Sequence, residues 1–203
     1  MAKKTLAQRL HSTFAALNKV GDIAAIDQFL KENKIDINAS LYKIAPEKQE
    51  EGGFYLFLQI LEGENVLDKI DYFVKEGVDL TLRYSGKNAL GRLFTRESDL
   101  PIMAKLLAVG VAPNQIDMEG NTVLITRVRA YSDSLTHNYD QEDRKVLYRP
   151  KTATEYELEL KFIELLLQYG ADPKLKNNYE TSAEDWLLHR KETGEWNDWQ
   201  ERL

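Results

Sequence analysis

Three histidines, His11, His137 and His189, and no cysteine occur among the 203 residues. A nucleophilic triad needs Ser or Cys beside a His that an acid orients, and general acid–base work usually recruits His or a perturbed carboxylate. His11 and His189 fall on helices near opposite ends of the chain and receive no role. His137, with Tyr139, Asp140, Glu142 and Asp143, forms the one cluster of ligand-type side chains. A hard cation can be held by such groups, which makes a metal-dependent enzyme built on His137, Asp140 and Asp143 an alternative reading. The spacing is not that of a calcium loop, since Asp-x-Asp-x-Asp-Gly is absent. No phosphate-cradling Gly-x-x-x-x-Gly-Lys, dinucleotide Gly-x-Gly-x-x-Gly or His-Glu-x-x-His occurs either. Gly52-Gly53 reads as a turn. The expectation is a chain without catalytic residues, metal or cofactor.

The elements that carry these residues are helical. Apolar residues recur at helical spacing in four sets: Ile23, Ile26, Phe29, Leu30; Val66, Leu67, Ile70, Phe73, Val74; Ile102, Met103, Leu106, Leu107; and Leu158, Phe162, Ile163, Leu166, Leu167. Similar text follows the last three: Lys75-Glu-Gly-Val-Asp-Leu, Ala108-Val-Gly-Val-Ala-Pro-Asn and Gln168-Tyr-Gly-Ala-Asp-Pro-Lys. Gly77, Gly110 and Gly170 suit the left-handed position that ends a helix. The first two lie 33 residues apart and the last two 60 apart, which is one further period interrupted by an insertion.

A period of 33 built from a turn and two helices is the ankyrin spacing. The text between the glycines resembles that family as well. Asp117-Met-Glu-Gly-Asn-Thr-Val-Leu is similar to its Asp-x-x-Gly-x-Thr-Pro-Leu hairpin and helix start, with valine for proline. Arg83-Tyr-Ser-Gly-Lys-Asn-Ala-Leu and Lys176-Asn-Asn-Tyr-Glu-Thr-Ser-Ala match more loosely. The resemblance implies an all-α ankyrin-repeat solenoid of about five helix-turn-helix units in a single domain. The units are an N-terminal cap at 5–38, repeats at 39–82, 83–116 and 117–175, and a C-terminal cap at 176–203. The first two lack the Thr-Pro-Leu-His text, and none has its histidine. Two insertions interrupt the period, a polar stretch at 45–53 and a Tyr- and acid-rich segment at 131–154 within the fourth unit. Long loops inside compact domains usually serve function or are disordered.

Composition is that of a globular chain, 43% hydrophobic and 30% charged, with apolar runs far too short to span a bilayer. Without cysteine or a readable export signal, a cytoplasmic protein with no membrane association is expected. Residues 1–130 carry 17 basic and 17 acidic side chains, so the net charge of −6 lies in the last third. Phosphate-backbone binding draws on clustered Lys and Arg, so nucleic acid is not an expected partner. Another protein is, with the chain monomeric when free.

In a solenoid the hairpin tips and first helices line a continuous concave surface. The resemblance puts Tyr84, Ser85, Lys87, Met118, Glu119 and Asn121 at tips, and Thr95, Arg96 and Arg129 near first-helix ends. Tyr131, Tyr139, Tyr148, Asp140 and Asp143 belong to the insertion. Tyr84 and Arg96 lead this set, because Tyr and Arg are enriched among binding hot spots. Arg92, Arg96, Arg127 and Arg129 form a basic set that either pairs with Asp133, Asp140, Glu142 or Asp143 or receives an acidic partner. Arg127 is expected to pair internally, since it occupies a packing position and a buried guanidinium needs a counter-charge. Trp186, Trp196 and Trp199 are read as the apolar side of the C-terminal cap. The function implied is non-catalytic protein binding through groove and insertion. The resemblance further suggests an immunity protein that occludes a cognate bacterial toxin, with a general adaptor or host-directed effector as the alternative.

Overall fold

A computed structural model of the chain describes residues 6–40, 55–84, 86–133, 135–140 and 145–192, with the side chains of 7, 135–148 and 189–192 outside the description. The described residues are mostly helical: α1 (Leu6–Val20), α2 (Ile23–Glu32), α3 (Leu56–Gln59), α4 (Val66–Lys75), α5 (Asp99–Ala108), α6 (Val123–Ser132), α7 (Ala153–Gln168) and α8 (Ala183–Glu192). Among the described residues a 3₁₀ turn, Leu90–Arg92, precedes α5, and an antiparallel strand pair, β1 (Leu135–Asp140) and β2 (Lys145–Pro150), separates α6 from α7. No helix among the described residues is long and apolar enough to cross a membrane.

Each periodic apolar set becomes a helix whose buried stripe joins one core running from Phe14 to Leu187. Helix α2 packs on α4, α4 on α5 and α5 on α7, so these helices stack in chain order. Hydroxyl and carboxylate caps start several of the elements. Asp22 accepts from Ala25 N at α2 and Thr122 from Ile125 N at α6. Thr152 and Glu155 form a reciprocal capping box at α7.

The helix ends repeat one geometry four times. At α4, Gly77 N donates to the Val74 carbonyl and Val78 N to the Phe73 carbonyl; at α5 and α7 the pairs start from Gly110 and Val111, and from Gly170 and Ala171. All three glycines have positive φ, as the spacing predicts. The end of α2 makes the same two bonds from Lys34 and Ile35, with Lys34 at φ 52 in the glycine's place. The next few residues also repeat. Asn38 donates to the Gly77 carbonyl (3.2 Å) and accepts from Asp79 N (2.7 Å). Asn114 does the same with the Gly170 carbonyl (3.0 Å) and Asp172 N (2.8 Å). At the equivalent place between these two, Thr81 offers only its carbonyl, to Gln115 Nε2 (3.1 Å).

Two expectations change. Where the ankyrin comparison implies a full first helix in every unit, the second begins with the four-residue α3 and the third with the three-residue turn Leu90–Arg92. The insertion is also shorter than 131–154. Helix α6 continues through Tyr131 to Ser132, and α7 begins at Ala153 behind its Thr152 cap, leaving 133–152 between them. The polar stretch at 45–53 lies outside the described residues.

One buried cation ties the N-terminal units together. Lys69 of α4 is fully buried and donates to Asn18 O (3.1 Å), Asn18 Oδ1 (2.5 Å) and Glu62 O (2.7 Å). It joins the last turn of α1 to the loop after α3. Burial among neutral acceptors pushes its pKa down to about 8, against a weak upward pull from Glu64.

Candidate partner-binding site

The candidate site lies where Leu90–Arg92 makes only a three-residue 3₁₀ turn. After Leu90–Arg92 the chain turns extended at Leu93 (φ −76, ψ 143), and 93–96 runs as a strap across the space where α6 and α8 each have ten helical residues. Gly91 inside the turn weakens any longer helix. The strap's polar groups find other partners instead. Phe94 N donates to Asp99 Oδ2 (2.9 Å), and the Leu93 carbonyl accepts from Arg127 Nη2 (2.8 Å). Thr95 Oγ1 accepts from Arg127 Nη1 (2.6 Å) and donates to Glu159 Oε1 (2.6 Å).

Arg127 and Glu159, on α6 and α7, are both buried, with Nη1 3.8 Å from Oε2. The guanidinium also lies 4.5 Å from the Phe162 ring centroid. Burial lowers the Arg127 pKa, opposed by the charges of Glu159 and Asp99. The expected burial of Arg127 and an internal counter-charge are therefore found, with Glu159 in place of Asp133; the side chain of Asp140 and all of Glu142 and Asp143 lie outside the described residues. Among the described residues its partners come from the strap and from α7, not from Asp133. The reason is topological: α7 packs directly on α6, whereas Asp133 closes the end of α6 with its backbone and is exposed.

Held from below, the strap presents Phe94 to solvent, 58% exposed, with the Arg96 guanidinium 4.6 Å from its ring centroid. A cavity of about 690 Å³ opens on one side, floored by Leu58, Leu61 and Ile102 and edged by Arg92 and Arg96. A second, about 450 Å³, opens on the other side toward Thr126 and Ala130 of α6. The four arginines thus diverge. Arg92 lies over Tyr84 (5.5 Å), Arg96 over Phe94, Arg127 inward, and Arg129 over Trp186 (5.7 Å).

The tips stack on one another. Tyr84 and Lys87 close the first through mutual backbone bonds; in the second Asp117 N donates to the Asn121 carbonyl, and in the third Asn177 N donates to the Thr181 carbonyl. A Cβ on Gly86 would meet Met118 N at 2.8 Å, and one on Gly120 would meet Asn178 N at the same distance, so only glycine permits this contact. Lys87, Met118 and Glu119 are exposed there and Tyr84 is half-buried. Ser85 lies outside the described residues. Asn121 is corrected. It is buried, donating to Glu119 Oε2 (3.0 Å) and accepting from Asn177 Nδ2 (2.8 Å), so it builds the stack and is not available to a partner.

In the insertion segment, Tyr131 is half-buried on α6 and meets Tyr156 edge-on, with centroids 5.7 Å apart. It belongs to the helix packing, not to a loop. Tyr139 and Asp140 lie in β1 and Tyr148 in β2. Their side chains, that of His137 and all of Glu142 and Asp143 lie outside the described residues. Register pairs His137 with Tyr148 and Tyr139 with Val146, which puts these four positions on one face of the ribbon. Asn138–Leu147 and Asp140–Lys145 fall on the other. At the ribbon's base Arg149 donates twice to Glu155 (2.8 and 2.7 Å), which pulls the Glu155 carboxyl down to about 2, and Lys151 Nζ donates to the Ala130 carbonyl. Among the described residues no three His, Asp or Glu side chains stand close enough to hold a metal ion.

Phe94 and Tyr179 are the most exposed aromatics among the described residues, at 58% and 71%, and sequence reasoning missed both. Tyr179 was findable, because matching Asn177 to Asp117 puts it at Glu119's tip position. Phe94 carried no such signal, since Leu93-Phe94 reads as core. Trp186 is half-buried and packs against the core, while Trp196 and Trp199 lie outside the described residues. No known family model and no curated protein matches the chain.

Proposed function

We propose that this chain is a non-catalytic protein-binding module, an ankyrin-like solenoid that covers a face of its partner with the strap groove, the exposed tips and the 133–152 insertion. The observation that carries the reading is the fourfold helix end at Lys34, Gly77, Gly110 and Gly170, with second helices stacked in chain order between them. Stacking of this kind leaves one long face free of intramolecular duty. Phe94, Met118 and Tyr179 give that face exposed apolar anchors, and Arg96 and Lys87 give it charge. Rigid aromatic and arginine groups are the side chains from which binding hot spots are made.

The partner suggested by the ankyrin resemblance is a cognate bacterial toxin, neutralised by occlusion of its active face; a general adaptor would instead gather several weak partners. The test is an affinity capture from the native source with three baits: the intact chain, Phe94→Ala, and a chain with 133–151 replaced by a short Gly/Ser linker. One stoichiometric protein, lost with either variant, is the expected result. No specific protein on any bait overturns the reading. Undiminished activity of a candidate toxin at saturating protein removes the toxin assignment alone.

A further inference from the structure

We propose that β1 is a self-pairing edge: a second copy of this chain lays its own β1 antiparallel against Leu135–Asp140, so that two ribbons join into one sheet in the order β2-β1-β1-β2. Such a dimer is independent of the protein-binding reading and stands in place of the free monomer expected from the sequence.

Strands β1 and β2 pair without a break from Leu135–Pro150 to Asp140–Lys145, and among the described residues no third strand joins them. Each strand therefore keeps a row of N–H and C=O groups that the ribbon does not use, and the occupant such a row matches is another extended strand. The described ties of the ribbon to the helices are confined to its base, at Arg149 and Lys151. Two strands by themselves are marginal in water, whereas three or more that share an apolar face make a stable sheet. Register supplies such a face, with Leu135, His137, Tyr139, Val146, Tyr148 and Pro150 at positions on one side.

The residue order selects a copy of the chain, and selects β1 over β2. In an antiparallel ladder the residues directly opposite share one orientation, so a strand paired with itself about a two-fold axis sets odd positions against odd and even against even. The apolar face is then continuous across the new junction. Centred on His137, the pairing sets Leu135 against Tyr139; centred on Asn138, it sets His137 against Tyr139 and Thr136 against Asp140. Neither register opposes like charges, because Asp140 is the one formally charged residue of β1 with histidine neutral. β2 differs. Centred on Leu147 it sets Lys145 against Arg149, centred on Tyr148 it sets Lys145 against Lys151, and its row ends in Pro150, which has no N–H to give. Opposed like charges and proline are the means by which natural edges are blocked. One edge of the ribbon is thus closed to its own copy and the other is open to it.

The chain has no cysteine, so a single introduced thiol reports a single pairing. Full-length His137→Cys, Asn138→Cys and Leu147→Cys are each oxidised with diamide and resolved on a non-reducing gel. A reductant-sensitive dimer is expected at 137 or 138, where the two-fold axis brings equivalent positions within disulfide reach, and none at 147. Sedimentation velocity of the unmodified chain over a dilution series should show monomer and dimer in equilibrium. Thr136→Lys/Asn138→Lys opposes lysines in both registers and should weaken the dimer about tenfold or more. Mixing that variant with Thr136→Glu/Asn138→Glu should restore a dimer of one copy of each, an outcome that misfolding cannot produce. A monomer at every concentration, cross-linking as efficient at 147 as at 137 and 138, a dimer indifferent to the lysines, or a dimer that survives replacement of 133–151 by a Gly/Ser linker would overturn the proposal.

Discussion

The strap at 93–96 and the hairpin at 135–150 are two breaks in the same rhythm, one where a helix is missing and one where a ribbon is added. They are held in opposite ways. The strap is anchored from the interior by Arg127, Glu159 and Asp99, all buried, while the described ties of the hairpin to the helices sit at its base, in a half-exposed Arg149–Glu155 pair and the Lys151 bond to Ala130. Anchoring by buried charge fixes a surface residue such as Phe94 in one place, because every alternative position strands an ion. A solvated pair imposes no comparable penalty. The difference teaches that buried charge holds the strap whereas a solvated pair holds the base of the hairpin.

That contrast can be broken first at Arg127. Arg127→Met leaves Glu159 without its cation and the Leu93 carbonyl without its donor, and should cost about 3–5 kcal/mol by urea titration. A loss below about 1 kcal/mol would mean that the clamp does not hold the strap. Next in size, Thr95→Val keeps the shape but removes the hydroxyl that links Arg127 to Glu159. About 1–3 kcal/mol is expected, with amide shifts propagating to Phe94. Replacing 133–151 by a Gly/Ser linker should change stability by no more than about 1 kcal/mol, as for loss of a surface ion pair; a large drop in melting temperature would place the hairpin in the core.

The smallest effect is acidic. Glu155 has a folded pKa of about 2 against an ordinary 4.5, so its contribution is complete above pH 4.5 and is lost as pH falls toward 2. The amide signals at the hairpin base should follow that titration. Lys69 supplies a counter-check of opposite sense. With a folded pKa of about 8 against 10.5, its protonated form is disfavoured by folding, so stability should rise between pH 8 and 10.5.

Much of the helical frame was legible because it rests on local rules. Positive φ at Gly77, Gly110 and Gly170 follows from residue type and spacing, and so do the apolar stripes of α2, α4, α5 and α7. Lys34 concealed the first of the four ends, since a lysine in the left-handed region gives no signal in the text. The clamp was half legible. Arg127 had to be buried, but its partner comes from Thr95 and Glu159, 32 residues on either side, and only packing brings them together. Phe94 was hidden for the converse reason, because a phenylalanine after a leucine reads as core until the helix that would bury it is seen to be absent. Lys69 followed the helical period onto the inner face, where a charge is admitted only because Asn18 and Glu62 offer acceptors.

The asparagine bridges at Asn38 and Asn114 leave one junction unlike its neighbours. Thr81 makes no such bridge, and the same junction contains the larger cavity. In a linear array, cooperativity is the sum of nearest-neighbour couplings, so the weakest coupling decides where the array parts. The junction between α4 and α5 replaces the asparagine bridge with two other loop bonds, Gln115 to the Thr81 carbonyl and Arg83 to the Ile116 carbonyl, and with an ion pair between Lys105 and Asp71, so the chain should not part there ahead of its other junctions. Amides on the two sides of that junction should therefore exchange together, each substituted bond doing the work that the asparagine does elsewhere.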